Sequence, residues 1–305
     1  MVWNYGSVVF NNAKQITAPK DSLQSYYIKG KNLVYVAMVK EVVTAGAKNS
    51  SGCGGKSKYV YIPSSVTSIG QNAFQSCSSL QSITIPENVT SIGSYAFQSC
   101  SSLQSITIPE NVTSIESYAF YGCSSLQSIN IPENVTSIES YAFYNCSSLQ
   151  SINIPENVIS IGNYAFYNCS SLQSINIPEN VISIGNSAFY NCSSLQSITI
   201  PENVTSIGSS AFYGCSSIYF AEIKSDAKIS SNTYNFYGYK CRYDFRYCTS
   251  IPILSSSSGL NSNSKVDFII VPDALYDEWI AATNWVAYAS KIKKASEVEN
   301  TEVTG

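Results

Sequence analysis

Three residue types recur in this chain where they could carry chemistry: cysteine, tyrosine and glutamate. Cysteine stands at Cys77, Cys100, Cys123, Cys146, Cys169, Cys192 and Cys215, once every 23 residues. Thiols so placed could form a ladder of disulfides, ligate a metal, or lie buried as small hydrophobes. The chain has no Cys-x-x-Cys pair and no histidine, so the usual zinc ligand sets are missing. An identical column with an odd count suits buried free thiols better than pairs. Cys53, Cys241 and Cys248 stand outside the column, and the last two could bridge.

Tyrosine fills two further columns. Tyr95, Tyr118, Tyr141 and Tyr164 occupy one, replaced toward the ends by Asn72, Ser187 and Ser210. Tyr121, Tyr144, Tyr167, Tyr190 and Tyr213 occupy the other, preceded by Gln75 and Gln98. A core does not explain positions that vary between repeats. Stacked ~4.8 Å apart, the rings would form a ridge that buries large area at low entropic cost and offers hydroxyls to a protein or glycan. The alternative is that the rings only pack on one another and stabilise the stack.

Glu87, Glu110, Glu133, Glu156, Glu179 and Glu202 form a column of like charge, joined by Glu116 and Glu139. Like charges directly opposed on a sheet repel, so these carboxylates must be solvated or meet donors. Calcium needs six to eight oxygens, which nothing here supplies compactly, and no metal or cofactor is expected. Asn-x-Ser/Thr sequons at Asn88, Asn111, Asn134, Asn203, Asn145, Asn168 and Asn191 read as by-products of the repeat, with Asn88-type residues serving a turn. Without histidine the commonest general base is gone, and Gly-x-Ser-x-Gly, Walker and Rossmann motifs are absent. The chain is not expected to be an enzyme. Only 12% of its residues are charged and the net charge is −3, which argues against a nucleic-acid partner.

The elements that position these columns follow from the repeat itself. Pro63, Pro86, Pro109, Pro132, Pro155, Pro178 and Pro201 mark the same 23-residue period as the cysteines. A period of 20 to 29 residues with regular Leu and Ile predicts a β-rich leucine-rich-repeat solenoid, whose units bury their apolar faces only by stacking. Seven coils span residues 60–220, each with a Ser-Ile-Thr-Ile strand ended by proline, a short Val-Thr-Ser-Ile strand, and an Ala-Phe pair expected in a single helical turn. The expected core is Ile, Ile, Val, Ile, Ala, Phe, Cys and Leu of every coil. Residues 1–59 do not repeat and carry β-type segments at Ser7–Phe10 and Asn32–Val39, suited to a cap or an attachment region. Residues 221–305 hold a divergent aromatic-rich coil, a strand ending at Pro272, a cap helix running through Leu275, Tyr276, Trp279, Ile280, Trp285, Tyr288 and Ile292, and a frayed tail from Glu297.

Laid out as Ile-Thr-Ile-Pro-x-x-Val-Thr-Ser-Ile-Gly-x-x-Ala-Phe-x-x-Cys-Ser-Ser-Leu, the repeat closely resembles the BspA-like leucine-rich repeat family. Val271-Pro272 followed by Tyr276, Ala281, Asn284-Trp285, Tyr288-Ala289 and Lys291-Ile292 is similar to the ending of such proteins from gut anaerobic bacteria. The resemblance implies a surface-displayed adhesion module that binds a protein or glycan on a host or microbial surface. No secretory signal, membrane-length apolar run or anchor motif is visible. The second expectation is therefore a virion appendage of a phage, docked to other virion proteins through residues 1–59.

Overall fold

The computed structural model describes residues 2–5, 8–11, 13–17, 23–28, 34–37, 42–43, 59–62, 66–230, 233–234, 236, 241–256, 260 and 265–302, with the backbone alone before residue 62 and over 299–302. The chain forms two compact units, Met1–Pro155 and Glu156–Gly305. Each is a parallel β-solenoid of very short strands.

In the first unit a hairpin pairs Val2–Tyr5 with Val8–Asn11, and Ala13–Thr17, Leu23–Ile28 and Val34–Ala37 follow as an antiparallel meander. The meander then becomes the solenoid: Val34–Ala37 pairs in parallel with Tyr59–Tyr61, and that strand with Ser82–Thr84. Ser105–Thr107, Ser128–Asn130 and Ser151–Asn153 continue the same sheet in register. A second sheet runs through Val42–Val43, Ser68–Ile69, Ser91–Ile92 and Ser114–Ile115. The coil edge that would otherwise offer unpaired strand groups is thus covered from the N-terminal side.

Within a coil, proline stops the strand because it has no amide to donate, and Pro86 O accepts Val89 N at 3.0 Å to close a four-residue turn. The Ala-Phe segment is not the helical turn that its composition suggests. Tyr95 and Ser99 sit at φ of 61° and 59°, which interrupts any helix, and the amides alternate between two kinds of partner. Ala96 N, Gln98 N and Cys100 N donate within the coil, to Gly93 O, Tyr95 O and Phe97 O. Tyr95 N, Phe97 N and Ser99 N donate to Ser117 O, Ala119 O and Tyr121 O of the next coil. Every amide of this buried-side turn is therefore satisfied, half of them only by a neighbour.

That ladder holds the core in register. Ile106, Ile108, Val112, Ile115, Ala119, Phe120, Cys123 and Leu126 are all buried, as are their counterparts in the neighbouring coils. Phe74, Phe97, Phe120 and Phe143 stack with ring centres 5.2 to 5.4 Å apart, and Phe166, Phe189 and Phe212 stack at 5.2 and 5.1 Å in the second unit. Gly93 marks a close approach between coils: a Cβ there would lie 2.9 Å from Gln71 N.

In the second unit Ser160–Ile161, Ser183–Ile184 and Ser206–Ile207 form one parallel sheet. Ser197–Ile200, Phe220–Ile223, Cys241–Asp244, Val266–Val271 and Ile292–Lys294 form another. The aromatic-rich stretch is an altered coil, since Tyr234 stacks on Phe212 at 5.7 Å and takes the place of a core phenylalanine. The terminal cap departs from the expected single helix. An α-helix covers Tyr276–Ala281, Asn284 turns the chain at φ 65°, a 3₁₀ helix covers Trp285–Lys291, and Ile292–Lys294 joins the sheet. The apolar spacing is the same for one helix or two short ones packed on a sheet edge; the left-handed Asn284 separates them. Of the tail from Glu297 expected to fray, the part up to Glu302 belongs to an α-helix, Ala295–Glu302, with Val298 buried, and residues 303–305 lie outside the described residues. Phe245, Trp279 and Trp285 seal the end, with Trp279 and Trp285 edge-on at 5.2 Å.

Because coils contact only their neighbours, whole periods are removable. Deleting residues 110–132 joins Pro109 to Glu133 in register, and circular dichroism should show a folded protein melting a few degrees lower. Deleting only 110–121 should abolish the cooperative transition. Phe120→Ala, which empties one rung of the phenylalanine stack, should cost about 3–5 kcal/mol in denaturant unfolding.

Candidate functional site

The cysteine column is structural. Cys100 Sγ donates to Phe74 O at 3.1 Å, Cys123 to Phe97 O at 3.1 Å and Cys146 to Phe120 O at 3.2 Å. In the second unit Cys192 and Cys215 bond Phe166 O and Phe189 O in the same way. Each such carbonyl already accepts the amide of the cysteine three residues on, as Phe97 O does from Cys100 N, so the thiol takes its second lone pair. A simple small hydrophobe would leave that bond unmade. The column is not uniform: Cys77 is disulfide-bonded, whereas Cys100 to Cys215 are free. The residue 26 before Cys77 is Ser51 rather than phenylalanine, so the pattern that receives the later thiols does not extend to it. Cys241 and Cys248 are free and unbridged, bonded instead to Arg242 O and Ile223 O.

Burial pushes the Cys100 thiol up to about 12 and holds Cys123, Cys192, Cys241 and Cys248 above the ordinary thiol value. The thiolate is the reactive and metal-binding form, so these residues do neither kind of chemistry near neutral pH. Among the described residues no cluster of three or more His, Cys, Asp or Glu side chains is placed to hold a metal.

The carboxylates and asparagines serve the stack. Glu116 accepts from Ser94 N and Ser94 Oγ of the preceding coil at 2.9 and 2.8 Å, and Glu139 accepts from Ser137 Oγ at 2.8 Å. The sequon residues Asn111 and Asn134 donate from Nδ2 to Glu87 O and Glu110 O, both at 2.8 Å. Asn203 does so to Glu179 O at 2.9 Å. These side chains bridge coils rather than closing turns within one. Asn145, Asn168 and Asn191 are different, taking left-handed φ values of 56–57°, which asparagine tolerates better than most residues.

The tyrosines are half-buried on the outer side of the same turns. In the first unit Tyr95, Tyr118 and Tyr141 stack with centres 4.6 and 4.5 Å apart and planes within 13°. Tyr121 and Tyr144 stack beside them at 4.6 Å with parallel planes. The ring planes of the two columns are tilted against each other, Tyr118 to Tyr121 by 36° and Tyr141 to Tyr144 by 40°. In the second unit Tyr167, Tyr190 and Tyr213 stack at 4.7 and 4.9 Å, with Tyr164 tilted against Tyr167. Burial and, secondarily, the neighbouring tyrosines raise the pKa of Tyr118 and Tyr167. Tyr95, Tyr118, Tyr141 and Tyr164 all adopt φ of 57–62°, a conformation that the 23-residue pattern does not announce.

One exposed feature escaped the sequence reading. Ile159 and Ile182 are half exposed in a column otherwise held by Thr67, Thr90, Thr113, Thr136 and Thr205. The signal was there, as two apolar residues in a threonine column.

Compared with known proteins, residues 10–125, 49–172 and 113–241 match the model of the BspA type leucine rich repeat region, in six copies. No match is found among curated protein sequences. Among solved structures, a leucine rich repeat protein of T. pallidum is 27% identical, covers 66% of this chain and 90% of its own, and superposes with a TM-score of 0.52. A leucine-rich repeat protein of Bacteroides ovatus is 23% identical, covers 89% and 80%, and has a TM-score of 0.50, a likeness of fold.

The buried thiols imply a specific pH dependence. The unfolded chain ionises its cysteines near pH 8.5, whereas burial holds the thiols of Cys100, Cys123, Cys192, Cys241 and Cys248 neutral in the folded chain. Their contribution to stability is complete below about pH 8.5 and is lost as pH rises, at about 1.4 kcal/mol per pH unit for each thiol. The melting temperature should be flat from about pH 6 to 8 and drop steeply by about pH 10, while a thiol reagent at pH 7.5 leaves the described free cysteines of the folded protein unmodified. A melting temperature unchanged at pH 10 would contradict this account.

Proposed function

This chain belongs to the BspA type leucine-rich repeat family, and from that premise we propose that it is a non-enzymatic, surface-displayed binding module that takes a protein partner on its tyrosine-bearing turns. The observation that carries the reading is the backbone of the tyrosines. A side chain other than glycine in the left-handed region costs about 1–2 kcal/mol, so the three tyrosines of the first unit cost roughly 3–6 kcal/mol together. Their two stacked pairs return roughly 1–3 kcal/mol. Asn72, at φ 59° in the same column, fills this turn with less strain. Ser187 and Ser210 adopt the same left-handed φ in this column, so the turn sets the backbone whichever residue fills it. Tyrosine in four consecutive coils is there for its half-buried side chain, at a strained turn of the kind that collects where a protein works.

The stacking also favours one partner class. A sugar binds an aromatic side chain by laying its C–H face on the ring, and here ring faces cover one another at 4.5–4.9 Å. Edges and hydroxyls remain, which suit the mixed polar and apolar surface of a protein. A non-enzymatic role is supported by the lack of histidine and by thiols held protonated in the core. Display at a surface rests on the family resemblance, and immunogold labelling of source cells or particles tests it.

Substituting what the chain itself uses in other coils separates binding from packing. Tyr118→Asn and Tyr141→Asn, combined with Tyr121→Gln and Tyr144→Gln, should leave the melting temperature within a few degrees of the parent. Binding to an array of immobilised extracellular proteins should fall at least tenfold. Equal binding by parent and variant would show that the tyrosines only pack.

A further inference from the structure

Resting on the reading of the tyrosine turns as a binding face, we propose that the face formed by Tyr95, Tyr118, Tyr121, Tyr141 and Tyr144 recognises an extended, proline-rich segment in the polyproline II conformation. Its backbone excludes the other common way of holding an extended chain. Addition of a strand requires free amides and carbonyls at a sheet edge. Here Tyr95 N and Tyr118 N donate to Ser117 O and Ser140 O, and Tyr121 N and Tyr144 N to Tyr118 O and Tyr141 O. A ligand can meet only ring edges and side-chain hydroxyls, of which those of Tyr118 and Tyr141 also bond each other.

The ligand must therefore bring its own exposed acceptors and need no backbone partner. A polyproline II helix does both, because its carbonyls are fully solvated and its conformation is fixed before binding. The spacing agrees. Steps of 4.6 and 4.5 Å carry Tyr95 through Tyr118 to Tyr141, about 9.1 Å over two coils. Polyproline II returns to the same face every three residues, about 9.3 Å. A β-strand repeats its face every ~6.7 Å and falls out of step within this span. The ring planes of the two columns are tilted 36–40° from one another, so the face presents two adjoining aromatic rows, and aromatic-lined surfaces are what proline-rich segments dock on. Over residues 93–100, 116–123 and 139–146 the only charged side chains are Glu116 and Glu139, so the segment is uncharged or basic.

The test uses the full chain and a decaproline peptide, with a Gly/Ser decapeptide and a β-1,4-linked N-acetylglucosamine hexamer as controls, measured by isothermal titration calorimetry. The combined variant Tyr118→Phe, Tyr121→Phe, Tyr141→Phe and Tyr144→Phe keeps the stacking and removes the hydroxyls, and its fold is checked by circular dichroism. Saturable binding of decaproline alone, weakened at least tenfold in the variant, is the expected result. If decaproline fails while tyrosine-dependent binding to the protein array persists, the polyproline assignment is wrong and the binding face stands. Preference for the sugar hexamer, or decaproline binding unchanged in the variant, also overturns the assignment. If no probe or array protein depends on the tyrosines, both readings fall.

Discussion

A 23-residue coil cannot satisfy its own backbone, and everything else in this molecule depends on the hydrogen bonds that neighbouring coils exchange. In the turn that carries the core phenylalanine, alternate amides point out of the coil and find carbonyls only in the next. The buried carbonyl of that phenylalanine likewise receives its second bond from another coil's thiol. An unpaired buried polar group costs about 1–3 kcal/mol, so a slip of one residue would leave several such groups at every interface. The interfaces therefore enforce one register, and the register stacks each side chain on its own kind.

Self-stacking constrains composition in turn. Identical charges one coil apart repel, whereas identical hydroxyls and amides can bond along the stack, as Thr113 Oγ1 does to Thr90 O and Ser124 Oγ to Ser101 O. A surface rich in serine, threonine, asparagine and glutamine with few charges is the outcome. The glutamates of the repeat columns are exposed, and Glu116 is in addition held by donors from the adjacent coil. Tyrosine fits the same rule, since its rings stack and its hydroxyls do not repel.

The same rule explains the chain's ends. A stack of coils terminates only where something other than a coil satisfies the last face, and the two ends use different means. An antiparallel meander leads into the first strand, while two tryptophans and Phe245 close the other end. Trp285 Nε1 finds its acceptor in Pro252 O at 2.8 Å, whereas the buried Trp279 Nε1 has no hydrogen-bond partner among the described residues.

Much of this was legible in the sequence. The period, the strand at Ser-Ile-Thr-Ile, the proline stop and the eight core positions follow from residue types recurring at fixed spacing, because packing pattern is a property of the chain's own periodicity. The tyrosine columns were legible as columns for the same reason. What the sequence could not convey were conformations that several residue types share. In the Tyr95 column only Asn72 hints at left-handed backbone, whereas the Ser99 column signals it through Gly122, Asn145, Asn168, Asn191 and Gly214, a sign that the Ala-Phe pair taken by itself conceals by reading as a helical turn. One apolar spacing, from Leu275 to Ile292, is compatible with a continuous helix and with two short helices followed by a strand. Only tertiary contacts decided these, because the deciding partner in each case lies in another coil: the carbonyl that receives Phe97 N, the phenylalanine oxygen that receives Cys123 Sγ, and the sheet edge that takes up Ile292. Periodicity settled what is buried; the neighbouring coil settled how the backbone turns to bury it.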